Sequence, residues 1–213
     1  MAEERPIIFS APMVRAILDG RKTQTRRVVK PQPSQLADQV VCDLNDVWRE
    51  SVRHGNDLHM EPEGTREWRC PYGVPGDRMW VREAWRMVKQ HDAISPKAAH
   101  LGGGCLTVSY PASDPLERDG KHCMGKKRPS IHMPRWASRL TLEVTGVRVE
   151  RVQEVSQTDA KAEGVRPDCI GGPKDYRMEF RRLWDSINAK RGYPWDDNPW
   201  VWVVEFKRLK EGE

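Results

Sequence analysis

The residues best suited to bind a ligand lie in one short segment, ILDGRKTQTRRVVKP, at positions 17–31. Directly after Gly20 the chain places four cations, two hydroxyls and one amide: Arg21, Lys22, Thr23, Gln24, Thr25, Arg26 and Arg27. So dense a group of positive and hydrogen-bonding side chains suits an anionic or nucleobase-like ligand. The alternative is an ordinary loop between a helix and a strand, with its charges in solvent.

A second group that suits nucleic acid lies in RPSIHMPRWASR, at positions 128–139. Its members are His132, Arg135, Trp136 and Arg139. The cations suit contacts with phosphates, while the indole ring suits stacking on a base. The alternative is a structured loop packed on the rest of the protein. Arg82 and Glu83, after the turn GVPGD, either point into a cleft or form a surface ion pair.

The chain has nine tryptophans, and a third aromatic group lies in GYPWDDNPW at positions 192–200. Tyr193, Trp195 and Trp200 form either a second stacking platform or part of the packing around the last strand. Most tryptophans in proteins fill or cover the core. Packing is therefore the favoured interpretation of this group.

The bulk composition limits the compartment and the partners. A net charge of +5 and a pI of about 9.0 permit an acidic partner such as nucleic acid without requiring one. No apolar run approaches the roughly 20 residues of a membrane span, and the first residues do not form a signal peptide. Five widely spaced cysteines without a CxxC pair indicate a reducing cytosol, so we expect a cytoplasmic protein.

No cofactor and no metal are expected. The chain has no GxGxxG or GxxxxGK[ST] motif, which makes dinucleotide or triphosphate binding improbable. A zinc site would have to combine Cys42, Cys70 and Cys123 with His122 or His132. Of these, only the adjacent His122 and Cys123 are close in sequence, in an awkward geometry for one ion.

The segment at 17–31 is preceded by a predicted helix. Ser10 is a suitable N-cap, Pro12 suits the first turn, and Gly20 ends the apolar face of the helix. A short strand is predicted at about 23–29. Further strands are predicted in RMWVREAW, which places Met79 and Val81 on one side, and in LTLEVTGVRVERV, where apolar and polar residues alternate.

The last third of the chain has the clearest helical pattern. Ser156 and Asp159 have the spacing of a capping box at the start of a short helix that Gly164 ends. An amphipathic helix follows, with one apolar face made of Tyr176, Phe180, Leu183, Trp184 and Ile187. A final strand, NPWVWVVEF, places Trp202, Val204 and Phe206 on one face.

This order of elements predicts an α+β fold, a curved sheet or open barrel with helices at one side, because the alternation of parallel βαβ units is missing. We expect one domain over residues 1–213. Two polar stretches of weak periodicity, at about 32–70 and 87–128, are interpreted as insertions into it.

Four segments together resemble the ASCH family of the PUA-like superfamily: AILDGRKTQTRR, PGDRMWVREAW, LEVTGVRVERVQEVS with DAKAEG, and WVWVVEFKRL. The resemblance is closest to the longer ASCH-like proteins encoded by phages and prophages, which share RPSIHMPRWASR. It covers both ends and the middle of the chain and leaves the two polar insertions uncovered. It implies a PUA-like open β-barrel with a cleft near the first helix–strand junction, where members of the superfamily hold RNA or a modified nucleoside.

The resemblance also implies an activity. Some small bacterial ASCH proteins are amidohydrolases that deacylate N4-acetylcytidine, with a Lys and a Thr from the K-T-x-T segment and a Glu from the helix after the central strand. The matching residues here are Lys22, Thr25 and Glu163. Other family members are reported to cut RNA. The alternatives are therefore a ribonuclease, or a non-catalytic module for RNA binding or phage–host interaction.

The chemistry of these three residues is consistent, but their spacing needs an explanation. A threonine hydroxyl needs a base to take its proton, and a lysine serves as one when burial or nearby cations lower its pKa. A carboxylate such as Glu163 can orient the lysine or pass a proton to the leaving amine. On a regular strand Lys22 and Thr25 would face opposite sides. They converge only if Lys22 still belongs to the turn after Gly20 or if a bulge intervenes.

Overall fold

The computed structural model describes residues 2–34, 37–54, 57–60, 66–101, 107–113, 124–167 and 175–209, without the side chains of 52–60 and 99. These residues form strands and α-helices in the following order: β1 (Glu4–Ile8), α1 (Ala11–Leu18), β2 (Gln24–Val28), β3 (Gln39–Cys42), β4 (Trp48–His54), β5 (Asp57–Met60), β6 (Glu67–Trp68), β7 (Arg78–Arg82), β8 (Arg86–Met87), α2 (Pro96–Leu101), β9 (Val108–Ser109), β10 (Thr141–Arg151), α3 (Gln157–Ala162), α4 (Tyr176–Asn188) and β11 (Trp200–Arg208). None of the helices in the described part of the chain has the length and apolar character that a membrane span requires.

The fold is mixed α+β, as the sequence predicts, and its largest sheet has five strands in the order β1-β7-β10-β11-β2. β1 pairs with β7 in parallel, and β2 pairs with β11 in antiparallel fashion. A second, antiparallel sheet consists of β3, β4 and β5, with β6 also paired to β4. Among the described residues, no strand pairing closes the five-stranded sheet into a barrel.

The chain divides into two compact units. Unit 1 comprises the described parts of Met1–Gly20, Arg78–Leu142 and Arg208–Glu213, and unit 2 those of Arg21–Asp77 and Glu143–Lys207. In unit 1, α1 buries Val14, Ala16 and Ile17, and a separate cluster of buried side chains contains Trp85, Met87, Met133 and Ala137. The single domain over 1–213 stays a prediction.

The core of unit 2 lies where α3 and α4 pack on β11. Phe180 and Trp184 of α4 join Ala160 of α3 and Val201 and Val203 of β11 in one buried cluster. Fully burying an apolar side chain of this size stabilises the fold by roughly 1.5–3 kcal/mol. This cluster therefore fixes α3, and with it the residue that follows it, against the sheet.

The predicted helix limits are confirmed. Ser10 is the N-cap of α1, and Gly20 adopts φ +70° directly after it, a backbone conformation that glycine accepts without strain. Before α3, Ser156 Oγ accepts from the Asp159 N–H at 3.0 Å, the predicted capping box. In α4 the prediction is wrong for Ile187, which is 42% exposed because it lies at the edge of the apolar stripe in the last turn.

Two regions contain structure that their sequence did not predict. β1 was not expected, because five residues with one proline give a weak strand signal. The predicted insertion at 32–70 contains β3 to β6; in β4 the consecutive charged residues Arg49 and Glu50 interrupt the apolar–polar alternation that marks a strand. In the second predicted insertion, 87–128, the described residues include α2 and β9, while 102–106 and 114–123 lie outside the description.

Candidate functional site

Lys22 and Glu163 meet because the end of α3 pairs with the chain just before β2. The two residues form an isolated antiparallel bridge, and the Thr23 N–H donates to the carbonyl of Ala162 at 2.9 Å. Glu163 is the C-cap residue of α3, and Gly164 follows it with φ +84°. The end of α3 at Gly164 thus places Glu163 beside Lys22 in unit 2.

Lys22 Nζ contacts three acceptors. It donates to Glu163 Oε2 at 2.8 Å, to the Glu163 carbonyl at 2.9 Å and to the Gln24 carbonyl at 2.7 Å. Three acceptors match the three protons of an ammonium group. Both side chains of the ion pair are almost completely buried, with 2% and 4% of their surface exposed. The prediction that Glu163 belongs with Lys22 is therefore consistent with their geometry, and a solvated surface carboxylate is excluded.

The environment lowers the pKa of Lys22 below its usual 10.5. Burial is the largest cause, since it disfavours the charged amine. The charge and the hydrogen bond of Glu163 act in the opposite direction, and the positive charges of Arg27 and Arg26 lower the pKa further. Lys22 therefore releases its proton at a lower pH than an exposed lysine does, and the charge of Glu163 limits how far the pKa falls.

Arg26 holds the second oxygen of the same carboxylate. Its guanidinium donates to Glu163 Oε1 at 3.2 Å and to Glu150, and lies 3.6 Å from Asp159 Oδ2. Its side chain is wholly buried, and the guanidinium lies 5.7 Å from the centre of the Phe180 ring. The sequence-based assignment of Arg26 to ligand binding stays a prediction, although its donors are already directed at carboxylates inside unit 2.

The charge network extends across the sheet through Arg148. This residue of β10 donates to Glu150 at 3.0 Å and to Asp159 at 3.3 Å, and also pairs with Glu205 of β11. The neighbouring Gly146 leaves room for that carboxylate, because a Cβ atom there would lie 3.1 Å from Glu205 Oε2. The sequence analysis missed these residues, although the alternation of β10 places 146, 148 and 150 on one face.

Thr25 lies beside this network. It is buried in β2 and pairs with Val204 of β11, so strand alternation directs its side chain away from the face that carries Gln24 and Arg26. However, Lys22 Nζ bonds the carbonyl of the peptide that joins Gln24 to Thr25. Among the described residues the Thr25 hydroxyl makes no hydrogen bond. The structure therefore unites Lys22 with Glu163 and leaves Thr25 next to the lysine without a direct contact.

The two other arginines of the segment have separate contacts. Arg21 donates to the Gly164 carbonyl at 3.0 Å, which fastens the end of α3. Arg27 lies near Tyr72, where burial raises the pKa of the phenol and the charge of Arg27 opposes that effect.

The residues of the second predicted group lie in unit 1. Arg135 forms two hydrogen bonds with Glu4, at 2.8 and 3.0 Å. Arg139 is bidentate to the buried Glu83, at 2.9 and 3.1 Å, and also lies over the Tyr110 ring. Both guanidinium groups are therefore engaged by carboxylates, which weakens their predicted role in phosphate binding.

Three further residues of unit 1 were predicted to contact a ligand. Arg82 lies over the Trp80 ring at 4.6 Å and donates to the Ile131 carbonyl at 3.4 Å, while Glu83 pairs with Arg139. His132 is exposed, and Trp136 is half-buried.

Two members of the third aromatic group belong to the core, as the favoured interpretation predicts, while Tyr193 is half-buried. Trp195 and Trp200 are 6% and 3% exposed. Among the described residues no group of three or more His, Cys, Asp or Glu side chains is arranged to hold a metal ion. His122 and Cys123 lie outside the described residues.

Comparisons of the chain with protein-family models, with curated proteins and with solved structures gave no match. The function must therefore be argued from the geometry of the site and from the sequence resemblance.

Proposed function

We propose that this protein is a PUA-like ASCH domain that hydrolyses the amide bond of an acylated nucleoside such as N4-acetylcytidine. Lys22 moves the proton in this reaction, and Glu163 positions Lys22. The observation that carries the proposal is the buried contact of 2.8 Å between the two side chains, in the segment that resembles the ASCH family.

A purely structural role does not account well for a buried ion pair of Lys22 and Glu163. Removing two charges from water is unfavourable, and apolar residues of similar volume often give equal or greater stability than a buried ion pair. Lysines whose pKa is lowered by burial are typical of sites that transfer protons. A carboxylate within hydrogen-bond distance and a hydroxyl one peptide away complete the set of groups that acyl transfer needs.

The reaction proceeds in two stages. Substrate binding has to bring the Thr25 hydroxyl within reach of Lys22, which it does not contact in this structure. Neutral Lys22 then takes the proton of that hydroxyl as the threonine oxygen attacks the acyl carbon, which gives a tetrahedral intermediate. When the C–N bond breaks, Lys22 returns this proton to the leaving amine, and the acyl group stays on Thr25 as an ester. Water then attacks the ester and gives one proton to Lys22, and Lys22 returns this proton to the Thr25 oxygen as the C–O bond breaks and the carboxylic acid leaves. Such assistance by a positioned acid or base typically contributes 10²–10⁴-fold in rate.

The first experiment is a screen of N4-acetylcytidine and related acylated nucleosides with the purified protein, with chromatography of the deacylated nucleoside as the readout. Residues that act as one unit are strongly non-additive. We therefore expect Lys22→Ala, Thr25→Ala and the double variant to fall to a similar residual rate, with the fold checked by circular dichroism. Thr23→Ala is the matched control and keeps most of the activity. An activity that survives Thr25→Ala removes the threonine from the mechanism but leaves Lys22 to be judged on its own variant.

The second candidate function is RNA binding without catalysis. It is favoured by the basic, carboxylate-free segment around Trp136, and retention of RNA without turnover of any acylated nucleoside would support it. A ribonuclease would instead release shortened RNA in the same assay.

A further inference from the structure

Trp136 differs from the other eight tryptophans, all of which lie in the described residues and are buried: Trp48, Trp68, Trp80, Trp85, Trp184, Trp195, Trp200 and Trp202. Trp136 is half-buried, in the turn Arg135–Ala137 of unit 1. A large aromatic ring at a protein surface exposes apolar area that water does not favour. The groups around the Trp136 ring therefore indicate which kind of ligand it could bind.

One face of Trp136 is covered by a flat nitrogen heterocycle. The imidazole of His100 stacks on it with 5.0 Å between ring centres and 4° between planes. Trp136 also forms a T-shaped contact with Trp85, with 5.9 Å between ring centres. The parallel stack is the arrangement that a nucleobase adopts on an aromatic side chain.

The element that carries His100 is lightly held. α2 has six residues, and those at 97, 98, 100 and 101 are exposed. Leu101 alone exposes 74% of its surface. Elements with few buried contacts open at low free energy. His100 is therefore a cover that can leave Trp136 without disturbing the core of unit 1.

The charge around Trp136 favours a polyanion. Residues 124–140 contain five Lys and Arg residues and no Asp or Glu. Three of these, Arg128, Arg135 and Arg139, pair with carboxylates from elsewhere in unit 1. The other two, Lys126 and Lys127, are exposed and form no ion pair with any described residue. They are the cations available to phosphates.

We infer that unit 1 contains a binding site for single-stranded nucleic acid, in which a base stacks on Trp136 in place of His100. Lys126 and Lys127 contact the adjacent phosphates. The inference rests on the second candidate function, RNA binding, to which it gives a site made of residues of unit 1 alone, and it does not depend on the hydrolase proposal. A single strand is specified because stacking on Trp136 requires a base that is not paired within a duplex.

The test measures affinity by fluorescence anisotropy, with labelled oligouridylate and oligothymidylate of about 12 nucleotides, a length within the range of one small binding module. Loss of one base–aromatic stack weakens binding about 5- to 150-fold, which is the expected effect of Trp136→Ala. Trp136→Phe, which keeps an aromatic face, falls between Trp136→Ala and the wild type. His100→Ala binds more tightly than the wild type by about 2- to 10-fold, because it removes a competing stack. A preference for oligouridylate identifies RNA as the ligand, and equal affinity identifies single strands of either sugar.

Salt dependence tests the phosphate contacts separately. The double variant Lys126→Gln/Lys127→Gln should reduce the slope of log affinity against log salt by about 1.4, or 0.7 for each phosphate on a single strand. The matched control is Lys190→Gln/Arg191→Gln, which removes an exposed adjacent pair of cations in unit 2 and leaves the slope unchanged.

The effect of His100 decides between a cover and a structural contact. If the stack only fastens α2, His100→Ala leaves affinity unchanged or weakens it, and that result overturns the inference. It is also overturned if Trp136→Ala and Trp136→Phe bind as the wild type does, or if a duplex binds as tightly as the single strand.

Discussion

Replacing Glu163 by glutamine changes the charge at the site while keeping the size of the side chain. The amide retains one oxygen for a hydrogen bond but loses the negative charge that Lys22 and Arg26 share. Arg26 keeps Glu150 and Asp159 as partners. Lys22 keeps its two main-chain carbonyl acceptors but loses the negative charge of the carboxylate, so the change acts mainly on the lysine.

The expected loss of stability follows from the burial of Lys22, whose side chain is 2% exposed. Removing one partner of a buried ion pair typically costs about 3–5 kcal/mol, because the remaining charge stays out of water without compensation. The loss of unfolding free energy stays within that range only while Lys22 holds its proton, because burying a neutral amine costs less free energy than burying a charged one. Release of the proton makes the stability of the variant depend on pH.

The sign of the pH effect follows from the direction of the pKa shift. The folded state lowers the pKa of Lys22 below 10.5, so the unfolded chain binds more protons in the interval between the two values. Stability therefore rises with pH across that interval, by up to about 1.4 kcal/mol for each pH unit. Glu163 raises the pKa of Lys22, so removing its charge extends the interval to lower pH. The difference in stability between wild type and Glu163→Gln should therefore narrow as the pH rises towards 10.5.

Urea unfolding followed by circular dichroism, at several pH values from 6.5 to 9.5, measures this gap. The control is Asp196→Asn, which breaks an exposed pair with Arg181 in the same unit and should change stability by about 0–1 kcal/mol at every pH. A Glu163→Gln variant as stable as the wild type, or a gap that does not change with pH, would refute the account of a buried lysine held by this carboxylate.

Three further changes probe the elements that place the site. Gly20→Ala should cost about 1–2 kcal/mol in urea unfolding, since a side chain is strained at φ +70°; no loss would mean that the turn relaxes. Ser156→Ala should cost about 1 kcal/mol through loss of the helix cap, and an unchanged midpoint would contradict the capping box. For Asp159, burial raises the pKa of the carboxyl, but contacts with Ser156, Arg26 and Arg148 lower it below 3.8 overall. The ionised carboxylate therefore stabilises the fold above that value, and this stabilisation is lost as the pH falls through the folded-state pKa. Asp159→Asn should therefore flatten the fall in stability between pH 5 and pH 3, and an unaltered acid transition would exclude this role.

The local structure around the site could be predicted because glycines and caps act over a few residues. Gly20, Gly164 and the Ser156–Asp159 pair each determine a helix end through their own backbone or side-chain geometry. Long periodic segments such as β10 and α4 were predicted for a similar reason, since their apolar residues repeat at the spacing of the element. Ile187 shows the limit, because periodicity does not tell where a packed face stops.

The contacts within the site could not be predicted from spacing. Lys22 and Glu163 are 141 positions apart, and the bridge between them depends on how α3 packs against the sheet. Arg26 illustrates the same limit. Its position among cations predicts a ligand contact, whereas the fold surrounds it with carboxylates from β10 and α3. The strands at 39–68 were missed because charged residues interrupt the alternation that marks a strand.

The central claim is that Lys22 moves the proton in amide hydrolysis and that Glu163 controls its pKa. The most direct measurement is the pH dependence of kcat/KM for N4-acetylcytidine, in the wild type and in Glu163→Gln. A general base acts in its neutral form, so the rate should rise with pH as free Lys22 loses its proton. Without the charge of Glu163 the pKa of Lys22 is lower, and the rise should shift to lower pH in the variant. A rise at the same pH in both proteins, or no hydrolysis by the wild type at any pH, would contradict the account.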